Sequence, residues 1–211
     1  MKVSGVLAWH PAVAMTKEEI DEFLSGRWVA RLATIGKDGY PHIAPLWYYW
    51  DGECIHFALT TKRQSCKNLQ RDPRCSVVID MDDRPLMGMR SNLAKAVLII
   101  GDAEMAEVGS GKKVVIGAGP WQGEHTPEQA VAMITNRYGL WERDGALGMT
   151  REAFREMFAK DIQQSQIFKD NVGRVLTKII PKKIQAWDFS KAPIEYVRQR
   201  GGVEKDEISK K

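Results

Sequence analysis

The chain has few cysteines and no pairing pattern among them. Only Cys54, Cys66 and Cys75 occur in 211 residues, and no two have the Cys-x-x-Cys spacing of a zinc or redox site. An odd number without that spacing disfavours both a disulfide framework and a cysteine-based zinc centre. The sequence therefore predicts three free thiols in a reducing compartment and no metal site.

Long apolar segments are also missing. The longest run, residues 96–101, has the length of a strand, whereas a helix needs about 20 apolar residues to span a bilayer. His10 and Pro11 interrupt the weakly apolar N-terminal segment, which disfavours a signal peptide. We expect a cytoplasmic protein with no membrane partner, and its 44% of hydrophobic residues suits one sizeable core.

Motifs of hydrolytic and nucleotide-dependent chemistry are absent from the sequence. It contains neither Gly-x-Ser-x-Gly nor His-Glu-x-x-His. The glycines of residues 109–113 and 117–123 lack the spacings of a phosphate-binding loop and of a dinucleotide fingerprint. His42 and His56 lie in predicted strands, where hydrogen-bonded structural histidines are common. We identify no catalytic residue, so in an enzyme a cofactor would carry the chemistry.

Excess charge is small overall and concentrated locally. The net charge is +4, while the segment from Lys62 to Arg74 holds five basic residues and one acidic residue. This concentration favours a local anion site over a nucleic-acid surface. The aromatic run Trp47–Trp50 points alternately to two strand faces, so it forms no stacking platform for bases, and no nucleic-acid partner is expected. The alternative to an anion site is an ordinary basic helix whose charges are solvated.

The first half of the chain has the pattern of a small antiparallel sheet. Asp-Gly turns flanked by apolar segments indicate hairpins. Pro45 cannot donate to a strand ladder, so its strand is expected to be an edge strand or to bulge there. The predicted strands are residues 28–35, 40–50, 54–60, 75–80 and 94–104, with a basic helix over 63–71.

Helices and two closing strands complete the predicted fold. Thr16 and Thr126 begin capping boxes, and a further helix starts near Thr150. We expect a mobile loop over residues 109–123 and closing strands over 172–180 and 183–189, separated at Pro181. These elements predict a mainly β, α+β barrel with helical decoration. It forms one domain over 1–200, with a helical insertion at about 105–170 and a disordered charged tail over 201–211.

A phosphate site is predicted where the third strand meets the basic helix. Thr60 and Thr61 supply hydroxyls, and Arg63 and Lys67 lie four residues apart on one helix face. The helix N-terminus adds amides and the positive end of its dipole. Together these groups match the needs of a phosphomonoester.

Two segments give the chain a recognisable family resemblance. ARLATIGKDGYPHIAPLWYYWDG and FALTTKRQSCKNLQRDPRCSVVID, with IIPKKIQAWDF near the end, resemble the pyridoxamine 5′-phosphate oxidase-like split-barrel flavoproteins. The resemblance covers about residues 16–104 and the closing strand. It implies a six-stranded antiparallel split barrel that forms homodimers, with FMN, or in some branches a deazaflavin coenzyme or FAD, at the dimer interface.

The resemblance also implies which residues bind the cofactor. Thr61, Ser65 and Lys67 stand at positions that hold the flavin phosphate in the oxidase, while Cys66 replaces an arginine for which Arg63 could compensate. The cofactor ring would lie along Ile43, Ala44, Pro45, Leu46 and Trp47.

The resemblance favours one branch of the family. The chain lacks the terminal Arg-x-His substrate motif of the oxidase, and it is more similar to the branch with deazaflavin-dependent reductases. We expect a flavin-type oxidoreductase acting on an unidentified small molecule. The alternatives are a non-catalytic carrier or sensor of the cofactor, and a haem-handling protein with an axial ligand from His42, His56 or His125.

Overall fold

The computed structural model describes residues 11–81, 95–138 and 173–191. The predicted helix from Thr150 and the charged tail lie outside these ranges, as does about half of the predicted 105–170 insertion. Three α-helices and nine strands occur within the described ranges. The helices are α1 (Lys17–Leu24), α2 (Gln64–Arg71) and α3 (Pro127–Arg137). The strands are β1 (Ala30–Ile35), β2 (Pro41–Leu46), β3 (Tyr48–Trp50), β4 (Ile55–Thr60), β5 (Arg74–Met81), β6 (Lys95–Glu107), β7 (Val114–Ile116), β8 (Gly123–His125) and β9 (Arg174–Asp188).

Seven strands form one antiparallel sheet in the order β2-β1-β5-β6-β9-β4-β3. β2 and β3 lie at opposite edges, yet Trp47 alone separates them along the chain. The sheet must therefore curl until its two edges nearly meet at Trp47. This confirms the predicted mainly β split-barrel class, with the expected second strand divided into two edge strands.

Pro45 lies in an edge strand without a bulge. The register between β1 and β2 runs unbroken from Ala30–Leu46 to Ile35–Pro41, and Pro45 pairs with Arg31 within it. Of the two alternatives predicted for Pro45, the edge strand is therefore confirmed and the bulge is wrong. Because β2 is an edge, the missing Pro45 N–H interrupts no ladder on its open side.

The main core fills the inside of the curled sheet. Alternate residues of β1, β4, β5, β6 and β9 point inward, and Ile20, Phe23 and Leu24 of α1 close one side. α2 packs on β1, β2 and β4. Both predicted capping boxes are confirmed, since Thr16 and Thr126 each exchange hydrogen bonds with the residue three positions later.

A second apolar cluster covers the outer face of β3, β4 and β9. The β7–β8 hairpin and α3 pack there, with Ile116, Ala130 and Ile134 against Tyr49 and Leu176. The expectation of a mobile loop over residues 109–123 is therefore wrong in part, because Val114–Ile116 pairs with β8 and Ile116 is buried. This layer explains why β4 is buried on both faces.

The predicted closing strands form one continuous strand, so the break expected at Pro181 is wrong. β9 passes Pro181 with a register shift opposite Ile100 and Gly101, which leaves Lys182 as the extra residue. Gly101 pairs with Pro181, and a Cβ at Gly101 would lie 2.2 Å from the Ile180 carbonyl oxygen. The glycine thus permits the close approach that keeps the strand intact.

The three cysteines are free, as predicted, and all three are buried. No helix within the described ranges is long and apolar enough to cross a membrane.

Candidate functional site

A cavity of about 450 Å³ opens where the two sheet edges approach each other. Apolar and aromatic side chains form most of its wall, and two guanidinium groups are the only charged groups that the described residues contribute to the lining. The lining residues are Val29, Pro45, Leu46, Trp47, Ala58, Arg63, Ile134 and Arg174. Its volume falls within the roughly 300–1,000 Å³ of typical small-molecule sites.

Trp47 forms one wall and is fixed from behind. Its ring stacks on Tyr138 with 5.1 Å between centroids and 5° between planes. The Tyr138 hydroxyl donates to the Trp28 carbonyl oxygen (2.9 Å) and accepts from the Tyr48 amide (3.2 Å). Trp47 remains 39% exposed, so a planar aromatic surface is held in place at the cavity.

Asn68 anchors α2 beneath the predicted phosphate site. Its side chain is fully buried, donates to Thr34 Oγ1 (3.0 Å) and accepts from Gln64 Nε2 (2.8 Å). Arg63 is the N-cap of α2 and makes no side-chain hydrogen bond to the first turn. The helix start is therefore held in position. The Arg63 side chain caps no amide of the first turn and lines the cavity instead.

Two of the five basic residues of this segment are already engaged. Arg74 pairs with Asp72 at 2.7 Å, and the hydrogen bonds from Arg74 lower the pKa of Asp72 below its usual range. The Arg71 guanidinium donates to the Ile35 carbonyl oxygen and to Asn68 Oδ1. The cations left for a ligand are therefore Lys62, Arg63 and Lys67.

The cavity brings together four of the ten predicted site residues, namely Pro45, Leu46, Trp47 and Arg63. Ile43 is 61% exposed on the same strand face as Pro45, and Ala44 is half-buried on the opposite face. Neither lines the cavity. The remaining four surround the start of α2: Thr60 and Thr61 are half-buried, Ser65 is buried and Lys67 is exposed.

Four lining residues were not predicted from the sequence. Ala58 precedes Thr60 by two residues, so strand alternation places both on one face. The sequence could therefore have predicted Ala58 as a lining residue. Val29 precedes β1, whose register places Ala30 opposite Leu46. The positions of Ile134 and Arg174 depend on the packing of α3 and on the β4–β9 register.

Asp51 and His56 form a buried pair outside the cavity. His56 Nε2 lies 2.8 Å from Asp51 Oδ2 and donates to it, since a carboxylate only accepts. Burial disfavours the charged Asp51, but hydrogen bonds from His56 and from the Gly117 and Cys54 amides outweigh it and lower the pKa of Asp51. The pair connects the β3–β4 turn to the β7–β8 hairpin, so we assign it a structural role.

The three histidines considered as haem ligands lie elsewhere. His56 is engaged with Asp51, His125 Nε2 lies 2.7 Å from the Trp121 carbonyl oxygen, and His42 is half-buried on β2. None of them lines the cavity. Within the part of the chain that the structure describes, no cluster of three or more His, Cys, Asp or Glu side chains could hold a metal.

Two further cavities have comparable volumes but different linings. One, of about 490 Å³, contains Glu19, Glu22 and Asp188 with one lysine, Lys95, and the other, of about 450 Å³, contains Glu107 and Lys112. Carboxylates disfavour anionic ligands. Of these three cavities, the one at Trp47 therefore fits an aromatic anion best.

Comparisons with known proteins agree with this fold. A family model described as pyridoxamine 5′-phosphate oxidase matches residues 16–138. The conserved hypothetical protein Rv2991 from Mycobacterium tuberculosis is 27% identical, with a TM-score of 0.55 over 86% of this chain and 90% of that one. A protein from Bacteroides thetaiotaomicron described in connection with 5-nitroimidazole antibiotic resistance is 11% identical, with a TM-score of 0.52 over 82% and 83%. A structure named F420 reductase is 20% identical, with a TM-score of 0.47 over 78% and 94%.

Proposed function

The chain belongs to the pyridoxamine 5′-phosphate oxidase family, and from this we propose that it binds a flavin-type cofactor in the cavity at Trp47. FMN is the proposed cofactor, with a deazaflavin coenzyme or FAD as alternatives. The observation that carries the proposal is the lining itself, in which the described residues form an aromatic and aliphatic wall with guanidinium groups and no carboxylate. That combination suits a flat ring with an attached phosphate.

Each group of residues has a proposed role in holding the cofactor. Pro45, Leu46 and Trp47 contact the ring and exclude water from one of its faces. Arg63 and the start of α2, with Thr60, Thr61, Ser65 and Lys67, receive the phosphate. Ile43 and Ala44 precede these residues on β2 and, although neither side chain lines the cavity, would offer backbone groups to the ring.

We propose an oxidoreductase acting on a small molecule, with hydride transfer supplied by the bound cofactor. No carboxylate, imidazole, thiol or phenol lines the cavity, so among the described residues the chain contributes binding and orientation rather than proton transfer. The same observation favours a second candidate, a carrier or sensor that binds the cofactor without turnover. Reduction and reoxidation of the bound cofactor by a panel of donors and acceptors distinguishes the two.

A homodimer with the cofactor at its interface completes the proposal. The outer face of β2, β1, β5 and β6 carries two adjoining rows, Ile43–Ala33–Ser76–Ile100 and Pro45–Arg31–Val78–Leu98. Ile43 and Ile100 are exposed there, and Pro45 belongs both to this face and to the cavity wall. A second copy packed on this face would cover the apolar side chains and border the cavity.

Titration with FMN and with the deazaflavin coenzyme tests cofactor binding. Trp47→Ala should weaken binding by about 0.5–1.5 kcal/mol, the worth of an aromatic contact beyond its buried area. Trp121→Ala is the matched control, because Trp121 packs on Tyr49 at 4.2 Å and does not line the cavity. A wild-type protein that shows no saturable change with either cofactor, measured by flavin fluorescence, contradicts the proposal.

A further inference from the structure

The phosphate site lacks one cation on α2. Cys66 stands where the resemblance places an arginine, and its side chain is fully buried in the main core. Burial, reinforced by Glu107, raises the pKa of the Cys66 thiol, so it stays neutral and inside the core. No charge can reach a ligand from this position, and another residue must supply it if the phosphate is fully bound.

Arg174 reaches the same place from another strand. It is the first residue of β9 and pairs with Thr60, next to the Leu176–Ala58 pair. Residues directly opposite each other in a sheet share a face, so Arg174 lies on the face of Ala58 and lines the cavity with it. Arg63 lies just beyond Thr60, with its amide donating to the Thr60 carbonyl oxygen at 3.0 Å. The two guanidinium groups thus flank the same end of β4.

No side chain in the described part of the chain neutralises either arginine. Among the described residues, no acidic side chain forms an ion pair with Arg63 or Arg174, and the cavity lining contains no carboxylate. Two like charges at one end of a cavity repel each other, and an anion placed between them removes that cost. Paired guanidiniums also give the directed, charge-assisted hydrogen bonds that phosphate oxygens accept best.

Gly173 fixes where β9 begins. Its carbonyl oxygen accepts from the Thr61 amide at 2.7 Å, its φ is +101°, and a Cβ there would lie 2.6 Å from Thr61 Oγ1. A residue with a side chain could not adopt this contact without strain. The glycine therefore holds the start of β9 against the predicted phosphate site and places Arg174 beside it.

We propose that Arg174 is a phosphate-binding residue, which forms with Arg63 a guanidinium pair that takes the place of the missing arginine at Cys66. This rests on the proposed flavin binding. It also makes Arg174 a specificity determinant, because the pair favours cofactors with a phosphate over the same ring without one.

Binding of FMN and of riboflavin, which lacks the phosphate, is compared in wild type, Arg174→Ala and Arg174→Lys. Arg174→Ala should lower the affinity for FMN about tenfold to hundredfold, as expected for the loss of charge-assisted hydrogen bonds. It should leave the affinity for riboflavin unchanged. Arg174→Lys keeps the charge and should recover part of the FMN affinity. Lys113→Ala is the charge-matched control, since Lys113 pairs with Glu124 on the exposed hairpin. This variant should change the affinity for neither ligand.

The ratio of FMN to riboflavin affinity separates a phosphate contact from general damage to the fold. If Arg174→Ala leaves this ratio unchanged, because the affinities for both ligands fall equally or not at all, the assignment of Arg174 is overturned while flavin binding stands. If the wild type binds only the deazaflavin coenzyme, its phosphate-free core replaces riboflavin in the same comparison. A wild type that binds none of these ligands refutes the proposed function, and the assignment of Arg174 falls with it.

Discussion

At the scale of single residues, Asp51 joins two parts of the fold through one carboxylate. Its Oδ1 accepts from the Glu53 and Cys54 amides, and its Oδ2 accepts from His56 and from the Gly117 amide. An asparagine would present an NH₂ group to some of these donors. We therefore expect Asp51→Asn to lower the free energy of unfolding by about 1.5–3 kcal/mol near neutral pH, the range for hydrogen bonds to charged groups.

The effect of Asp51→Asn should depend on pH with a definite sign. Because folding lowers the pKa of Asp51, its contribution is complete above the ordinary value of 3.8 and is lost as the pH falls below it. The difference in unfolding free energy between wild type and Asp51→Asn should shrink in acid, as measured by denaturant unfolding. The exposed neighbour provides the control Glu53→Gln. A difference that is absent at neutral pH, or constant into acid, would count against this role.

Residues close together in sequence were the predictable part of the site. Arg63 and Trp47 each lie in a local pattern, a helix start and a strand end, whose geometry depends on a few neighbours. Arg174 could not be predicted in the same way, because its place depends on pairing with Thr60 across the sheet. The contact between Asp51 and His56 could not be predicted either, because it depends on the conformation of the β3–β4 turn.

At the scale of elements, β9 shows how one glycine keeps a long strand continuous. Pro181 suggested a break because it lacks an N–H, but the register shift beside Gly101 absorbs it. Gly101 within an apolar strand was itself a signal, since glycine in a strand often marks a bulge or a close backbone approach. Similarly, Trp47 lies between β2 and β3, where the chain leaves one sheet edge for the other.

Gly101→Ala tests this interpretation of β9. The added methyl group would meet the Ile180 carbonyl oxygen at 2.2 Å and its carbon at 2.9 Å, and backbone cannot move aside cheaply. We expect a loss of at least about 1–3 kcal/mol in unfolding free energy, as for overpacked cores. Gly117→Ala is the control, because its nearest neighbour lies at an ordinary 3.6 Å. Equal thermal stability of the two variants would show that the β6–β9 contact tolerates a side chain.

At the scale of the whole molecule, the outer face of β2, β1, β5 and β6 is the surface on which we propose that a second copy packs. Ile43→Glu places a charge on this face at a 61% exposed position, so the isolated chain should fold normally. We expect it to sediment as a monomer and to bind FMN less tightly than the wild type, because the proposed partner would border the cavity. Val115→Glu changes an equally apolar exposed position on the hairpin and should remain dimeric. A dimeric Ile43→Glu protein would place the interface elsewhere.

Binding of a flavin-type cofactor is the central claim, and the visible absorbance spectrum after gel filtration tests it most directly. The protein is incubated with FMN or with the deazaflavin coenzyme, separated from free ligand, and the compound it retains is identified by mass spectrometry. The cavity at Trp47 predicts that the protein fraction keeps the absorbance bands of one of these cofactors in an amount stoichiometric with the chain. A colourless protein fraction, with both cofactors recovered in the small-molecule fraction, would contradict it.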